Sequence, residues 1–431
     1  MPASVSNCSP LRARRCLLSH GLFAARAAIA ILLLIGGGCS SRDPSNPFDP
    51  DNPETDGTPD LLRAFALDNQ VELRWDPGRL EDAEAVRLTR GSGGAPDEME
   101  VLVEQTGAGA GVFLDQPVPN DSTYSYSLQV LAPGQEWIET EPDLATPGAS
   151  EPWIGDATGG GLLRLTPDGR DLRFRVETGR DLLDLQIDSN GEVWAADYAN
   201  GQVLRFSRDG ELRTVWDYSG SNTIAIDPLS AEIWIGSFDQ QQVVRFDRAG
   251  TTRFRFENAG LVEDLSPGFF PEGGIWLAAR FSGVTRIVRD QVETRWQEFE
   301  WPVAISPDPE GWVWVIDRQR RSAARILADD RVVWSDAVMN DPKDGCLDGE
   351  GGFWIADPGR GGLIHLDPEG HESEFLAVGA VDSVTLDPRR GLLWLVYREQ
   401  SRIAVIDRTG RELARADVTG RPVKVEGFWR E

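Results

Sequence analysis

The chain has 431 residues and a formal charge of −27, with 45 Gly, 15 Trp and only two lysines, Lys343 and Lys424. That length predicts two or three domains, and many turns and aromatics without long amphipathic helical stretches predict an all-β protein. Residues 1–38 carry four Arg and no acid, so the rest of the chain reaches −31; a chain this acidic lacks the basic footprint of a nucleic-acid binder and is repelled by anionic lipid.

The N-terminus reads as an export signal. Arg12, Arg14, Arg15 and Arg26 precede an apolar run, Ala27 to Ile35, which is too short to span a bilayer and ends in Gly36-Gly37-Gly38-Cys39. Small residues before a Cys resemble a bacterial lipoprotein signal, which implies acylation of Cys39 and cleavage after residue 38. Gly36 departs from the larger apolar residue usual in that motif, so an ordinary cleaved signal remains the alternative. Arg14-Arg15 also bears a weak resemblance to a twin-arginine signal. Ser40 after the Cys implies sorting to an outer membrane, on its periplasmic or surface face. Residues 39–60 are rich in Pro, Asp, Asn and Ser and predict an extended tether, because such a segment has too little apolar surface to fold.

Residues 61–148 contain short alternating strands. Val71, Leu73 and Trp75 share one face of QVELRW, and Tyr124, Tyr126, Leu128 and Val130 share one face of a later strand. Half-buried strands at this spacing predict a β-sandwich. The early Trp strand and the late Tyr-x-Tyr strand resemble a fibronectin type III domain.

From residue 149 to 431 the sequence repeats. A Trp recurs at 153, 194, 234, 276, 314, 354 and 394, at spacings of 38 to 42 residues, each in a short apolar strand such as VWAAD or FWIAD. A second strand with Arg near its end follows (VLRFS, VVRFD), then a tight turn such as Asp209-Gly210, then two more strands. Four strands per 40 residues describe a propeller blade. The first copy lacks a strand before Trp153, and the chain ends in a spare one, RPVKVEGFW. The expectation is therefore a seven-bladed β-propeller in which the last strand completes the first blade and leaves no open edge. The pattern resembles NHL repeats and the propellers of the virginiamycin B lyase and gluconolactonase groups.

The recurrent Trp predict packing between blades, and Asp156, Asp197, Asp317 and Asp357, each just after a Trp strand, predict caps on the turns that follow. Ligands of propellers are expected where the innermost strands begin, near Asp184, Asn222, Glu263, Trp301, Lys343, Asp344, Asp382 and Arg421. Asp184, Glu263, Asp344 and Asp382 are expected to form an acidic rim; with Asn222 they are the candidate ligand or metal residues, and Ca²⁺ or Mg²⁺ the candidate ion, the alternative being a solvated rim. The gluconolactonase resemblance implies Glu, Asn and Asp as central metal ligands, the types of Glu263, Asn222 and Asp382. The lyase resemblance implies a catalytic His, but His365 fills a slot held elsewhere by Arg, and His371 follows a turn. Cys346 sits in an apolar strand and predicts an inert thiol.

The function expected is that of a membrane-anchored binding or scaffolding lipoprotein, its propeller face engaging an envelope protein, glycan or small molecule. A metal-dependent lactonase- or lyase-type enzyme is the alternative.

Overall fold

The computed structural model describes residues 61–94, 98–149, 152–158, 161–178, 181–268, 274–288 and 290–427. The leader, Cys39 and the Pro-rich tether lie outside them. The fold is all-β: two sheets precede seven four-stranded antiparallel sheets, which are the seven blades.

The two sheets of the N-terminal unit form a sandwich. One contains Leu62–Leu67, Gln70–Trp75 and Val112–Asp115; the other is built on Ala85–Ser92 and Tyr124–Leu131. Alternate residues of the strands turn inward, so Val71, Leu73, Trp75, Val86, Tyr126, Leu128 and Val130 share one core. Asp115 links the sheets by accepting from the Tyr126 hydroxyl (3.0 Å) and pairing with Arg90 (2.9 Å).

Each blade runs from an inner strand A to an outer strand D. Blade 2 consists of Leu182–Ile187, Val193–Asp197, Gln202–Phe206 and Leu212–Asp217, and the other blades repeat it. Blade 1 takes its strand A from the far end of the chain: Pro422–Gly427 pairs with Pro152–Asp156, which holds Trp153. The expected closure is thus present.

The recurrent Trp are at most 3 % exposed and occupy strand B. Each packs against the following blade, as Trp153 does against Leu182, Leu185 and Val193. The last, Trp394, meets Ile154, Leu163 and Val425 of blade 1, so one more apolar interface seals the ring. In register across the hairpin stands an arginine of strand C in blades 1 to 5, whereas blade 7 has Val405 there. Arg164, Arg205, Arg245 and Arg286 lie over Trp153, Trp194, Trp234 and Trp276 with 5.2–5.6 Å from guanidinium carbon to ring centre. His365 takes that place in blade 6, with its ring 4.4 Å from that of Trp354 and hydrogen bonds to Asp348 and Ser373.

The sandwich rests on blades 1 and 7 through their A–B and C–D turns. The Arg390 guanidinium donates to the carbonyls of Pro147 (3.2 Å) and Pro167 (2.8 Å), and Thr146 N–H donates to Asp168 (3.0 Å). Arg173 of the outer strand of blade 1 pairs with Glu72 (3.1 Å). Strands A begin at the opposite end of the sheets, so the sandwich leaves that end uncovered.

Removal of residues 421–431 is expected to expose strand B of blade 1 as an edge and to yield an aggregation-prone protein with a lowered urea midpoint. Trp394→Ala, which empties one interface without opening the ring, should cost about 3–5 kcal/mol in the same titration and leave the protein soluble. A truncated chain with the midpoint of the intact protein would refute the closing role of the last strand.

Candidate functional site

The seven A strands surround a cavity of about 340 Å³ at the end remote from the sandwich. Its walls have two levels. Strand register places Asp184, Thr223, Asp264, Ala304, Asp344, Ser383 and Lys424 at equivalent positions, one per blade. One residue earlier, and nearer the opening, stand Leu183, Asn222, Glu263, Val303, Lys343, Asp382 and Val423. In five of the seven strands the pairing slips at this outer position. A bulge of this kind re-aims a side chain, which explains how neighbours such as Glu263 and Asp264 both line the cavity.

All five candidates read from the sequence, Asp184, Asn222, Glu263, Asp344 and Asp382, line this cavity. They do not form a single rim. Asp184 and Asp344 belong to the inner level, whereas Asn222, Glu263 and Asp382 belong to the outer one, because the A–B connections of their blades differ in length. Trp301 lies beside the opening and donates its indole N–H to Glu263 (2.8 Å). Arg421 is paired with Glu399 and does not line the cavity.

The inner carboxylates follow one rule. Each aspartate of an even blade accepts a backbone N–H from strand A of the next blade: Asp184 from Ile224 (2.9 Å), Asp264 from Ile305 (2.9 Å) and Asp344 from Val384 (3.2 Å). Asp184 also accepts from the Thr223 hydroxyl (2.9 Å), and Asp344 from that of Ser383 (2.5 Å). Blade 5 has Ala304 at that position, so Asp264 lacks the matching hydroxyl. Lys424 adds an internal cation: its ammonium lies 2.9 Å from Asp184 and 3.5 Å from Glu426.

These contacts set the protonation states. Burial pushes the Asp264 carboxyl up to about 7; Lys424 opposes the rise and Asp184 adds to it. Burial likewise pushes Glu426 up to about 7 against the pull of Lys424. Although burial opposes its charge, the Asp184, Glu426, Asp264 and Asp344 carboxylates together hold the Lys424 ammonium pKa well above its ordinary value. Cys346, two residues beyond Asp344 on the same strand, has its thiol pKa raised well above the ordinary range by burial and by Asp344.

The outer acids are occupied too. Asp382 accepts from Lys343 (2.6 Å) and from the Arg398 backbone N–H (2.9 Å), and Glu263 pairs with Arg280 (3.0 Å). Among the described residues no three His, Cys, Asp or Glu side chains stand together as a metal-holding group. Divalent cations of the Ca²⁺ or Mg²⁺ kind need several convergent oxygens. Carboxylates turned toward neighbouring blades and already matched by Lys424 and Lys343 do not supply such a set. Neither described histidine lines the cavity: His365 is held between strands, and His371 pairs with Asp336 (2.8 Å) on the surface.

The aspartates that end strand B hold the loops beside them. Asp317 accepts from Arg320 N–H (3.1 Å) in its own turn and from Glu300 N–H (2.7 Å) in the loop that enters the blade; Asp357 does the same with Arg360 (3.0 Å) and Asn340 (2.7 Å).

Sequence reasoning missed Asp264, Lys424, Arg318 and Arg398 as cavity residues. Asp264 was screened by its neighbour Glu263. The signal for Lys424 was its rarity, since the chain's only two lysines both line this cavity. The signal for the arginines was their position directly after strand B in blades 5 and 7.

No protein-family model matches the chain, and no curated protein does. Among solved structures it is similar to a streptogramin B lyase at 15 % identity and a TM-score of 0.50, over 57 % of this chain and 86 % of that one. It is also similar to the apo form of AztD from Citrobacter koseri at 9 % identity and a TM-score of 0.50, over 64 % and 97 %. Identities this low bear on architecture, and the architecture they share with this chain is the β-propeller.

Between the ordinary carboxyl value of 3.8 and about 7, folded Asp264 keeps a proton that the unfolded chain has released. Its contribution to stability therefore falls as pH rises through that window. Asp264→Asn, which keeps an acceptor for Ile305, is expected to gain stability over the wild type at pH 8 and to lose most of that gain at pH 4. Urea midpoints at the two pH values test this; a difference that does not change with pH would show that Asp264 is ionised throughout.

Proposed function

We propose that this chain is an extracytoplasmic binding lipoprotein, tethered to a membrane through acylated Cys39 and taking its ligand in the propeller mouth. The observation that carries the reading is the cavity itself. It combines cations, carboxylates, an amide and short aliphatic side chains in a pocket of small-molecule size, on the face that the sandwich leaves uncovered. The carboxylates there are engaged in holding blades together, and neither described histidine is present, which favours recognition over catalysis.

The leader supports the anchor, and the Pro-rich stretch before residue 61 supports a spacer between anchor and body. We assign the sandwich to the fibronectin type III type, a common spacer module. Its division into a three-stranded sheet and a sheet ordered Glu100–Thr106, Ala85–Ser92, Tyr124–Leu131, Trp137–Glu139, with Asp143–Ala145 also paired to Tyr124–Leu131, supports that assignment. An outer-membrane location follows from Ser40 by the sorting preference described above.

Two measurements test the proposal. Cys39→Ala is expected to abolish incorporation of a palmitate analogue and to move the protein from the detergent phase to the aqueous phase; retention in the detergent phase would refute the anchor. Saturation-transfer NMR of the full chain against an extract of envelope small molecules and glycans tests the mouth. At least one component should receive saturation from the wild type and none from Asn222→Trp, which fills the opening. Equal transfer from both proteins would place the site elsewhere.

A further inference from the structure

Three blades place an arginine at the end of strand B or directly after it, at the edge of the mouth: Arg280 ends its strand, and Arg318 and Arg398 follow theirs. Two of them have carboxylate partners. Arg280 pairs with Glu263 (3.0 Å) and Arg318 with Asp341 (2.6 Å), and both lie against the Trp301 ring. The third does not. Among the described residues no carboxylate or carbonyl accepts from the Arg398 guanidinium, and its Nε is sealed from solvent without a partner. The side chain lines the mouth, so a guanidinium that no carboxylate of the chain engages can meet a ligand acceptor there.

The surroundings of Arg398 are short of free acceptors. Asp382 gives one oxygen to the Arg398 backbone N–H (2.9 Å) and the other to Lys343 (2.6 Å), which brings the Lys343 ammonium and the Arg398 side chain to the same part of the wall. The inner carboxylates are turned to the next blade. The mouth therefore offers cationic donors on blades 5 to 7, whereas Leu183 and Val423 give blades 1 and 2 an aliphatic wall.

Resting on the reading of the mouth as a ligand site, we propose that its ligand class is the small organic carboxylate, with Arg398 as the principal contact and Lys343 beside it. A planar guanidinium matches a carboxylate through two parallel hydrogen bonds. Leu183 and Val423 receive the carbon skeleton. Phosphate fits less well: the cavity wall also carries Asp184, Glu263, Asp344 and Asp382, and a dianion meets more repulsion from them than a monoanion does.

The experiment uses the full chain in detergent and follows binding of the monoanions phenylacetate and glucuronate by calorimetry and ligand-observed NMR. The controls are 2-phenylethanol, glucose and inorganic phosphate. At least one carboxylate is expected to bind, with its uncharged counterpart and phosphate weaker by about tenfold or more. Arg398→Gln should lower its affinity by about tenfold or more, and Arg398→Lys should retain part of it. Thermal denaturation of both variants checks that they are folded. The proposal is overturned if none of the carboxylates binds at concentrations on the order of 10 mM, if phosphate binds more tightly, or if Arg398→Gln binds as the wild type does. Uncharged probes that bind as well as their acids, and are blocked by Asn222→Trp, would overturn the carboxylate assignment while leaving the mouth as the site. If Asn222→Trp has no effect on any bound probe, the reading of the mouth fails as well.

Discussion

The structure depends on one pairing, that of Pro422–Gly427 with Pro152–Asp156. Seven sheets packed face to face around an axis leave two open ends unless the first and last share strands, and here the last strand of the chain becomes the innermost strand of the first blade. The hydrogen bonds of that strand join segments about 270 residues apart in sequence. The same strand carries Lys424 to the inner level of the cavity and Val423 to the outer one. Closure and site are therefore not separable: until the ring closes, the inner aspartates lack their central cation and the mouth lacks part of its aliphatic wall.

The interior of the ring solves an electrostatic problem. An acidic chain brings Asp184, Asp264 and Asp344 around one axis, where like charges in low dielectric repel. Three devices relieve this. Each carboxylate is drawn sideways by an N–H of the next blade, Lys424 sits among them as a resident ammonium, and Asp264, the one without a hydroxyl donor, holds its proton toward neutral pH. These bonds also tie adjacent blades at their inner edges, beside the apolar interfaces built on the strand B tryptophans.

The blades were legible in the sequence because their physics is local and repeated. A Trp every 38 to 42 residues, an apolar strand around it and a turn at fixed distance needed no long-range information. Even the closure could be counted from the missing first strand and the spare last one. The cavity was legible only in outline. Its five expected residues do line it, but the two levels were confused, because the A–B connections differ in length by one or two residues between blades. Asp264 was hidden by Glu263, Asp382 was read as part of an acidic rim although Lys343 neutralises it, and Arg398 had no signal beyond its place after strand B. Such properties arise from what stands across the ring, and a linear reading does not contain them.

The placement of both lysines in one cavity has a practical consequence. On most proteins primary amines are scattered over the surface, and coupling through them gives a mixture of orientations. Here Lys343 and Lys424 are the only lysine amines in the chain, and both line the mouth. Active-ester attachment to a sensor surface or resin that captures a lysine would seize the molecule by its opening and mask the pocket under study. A tag or linker on the sandwich, which stands on blades 1 and 7 at the other end, would instead present the mouth to solution.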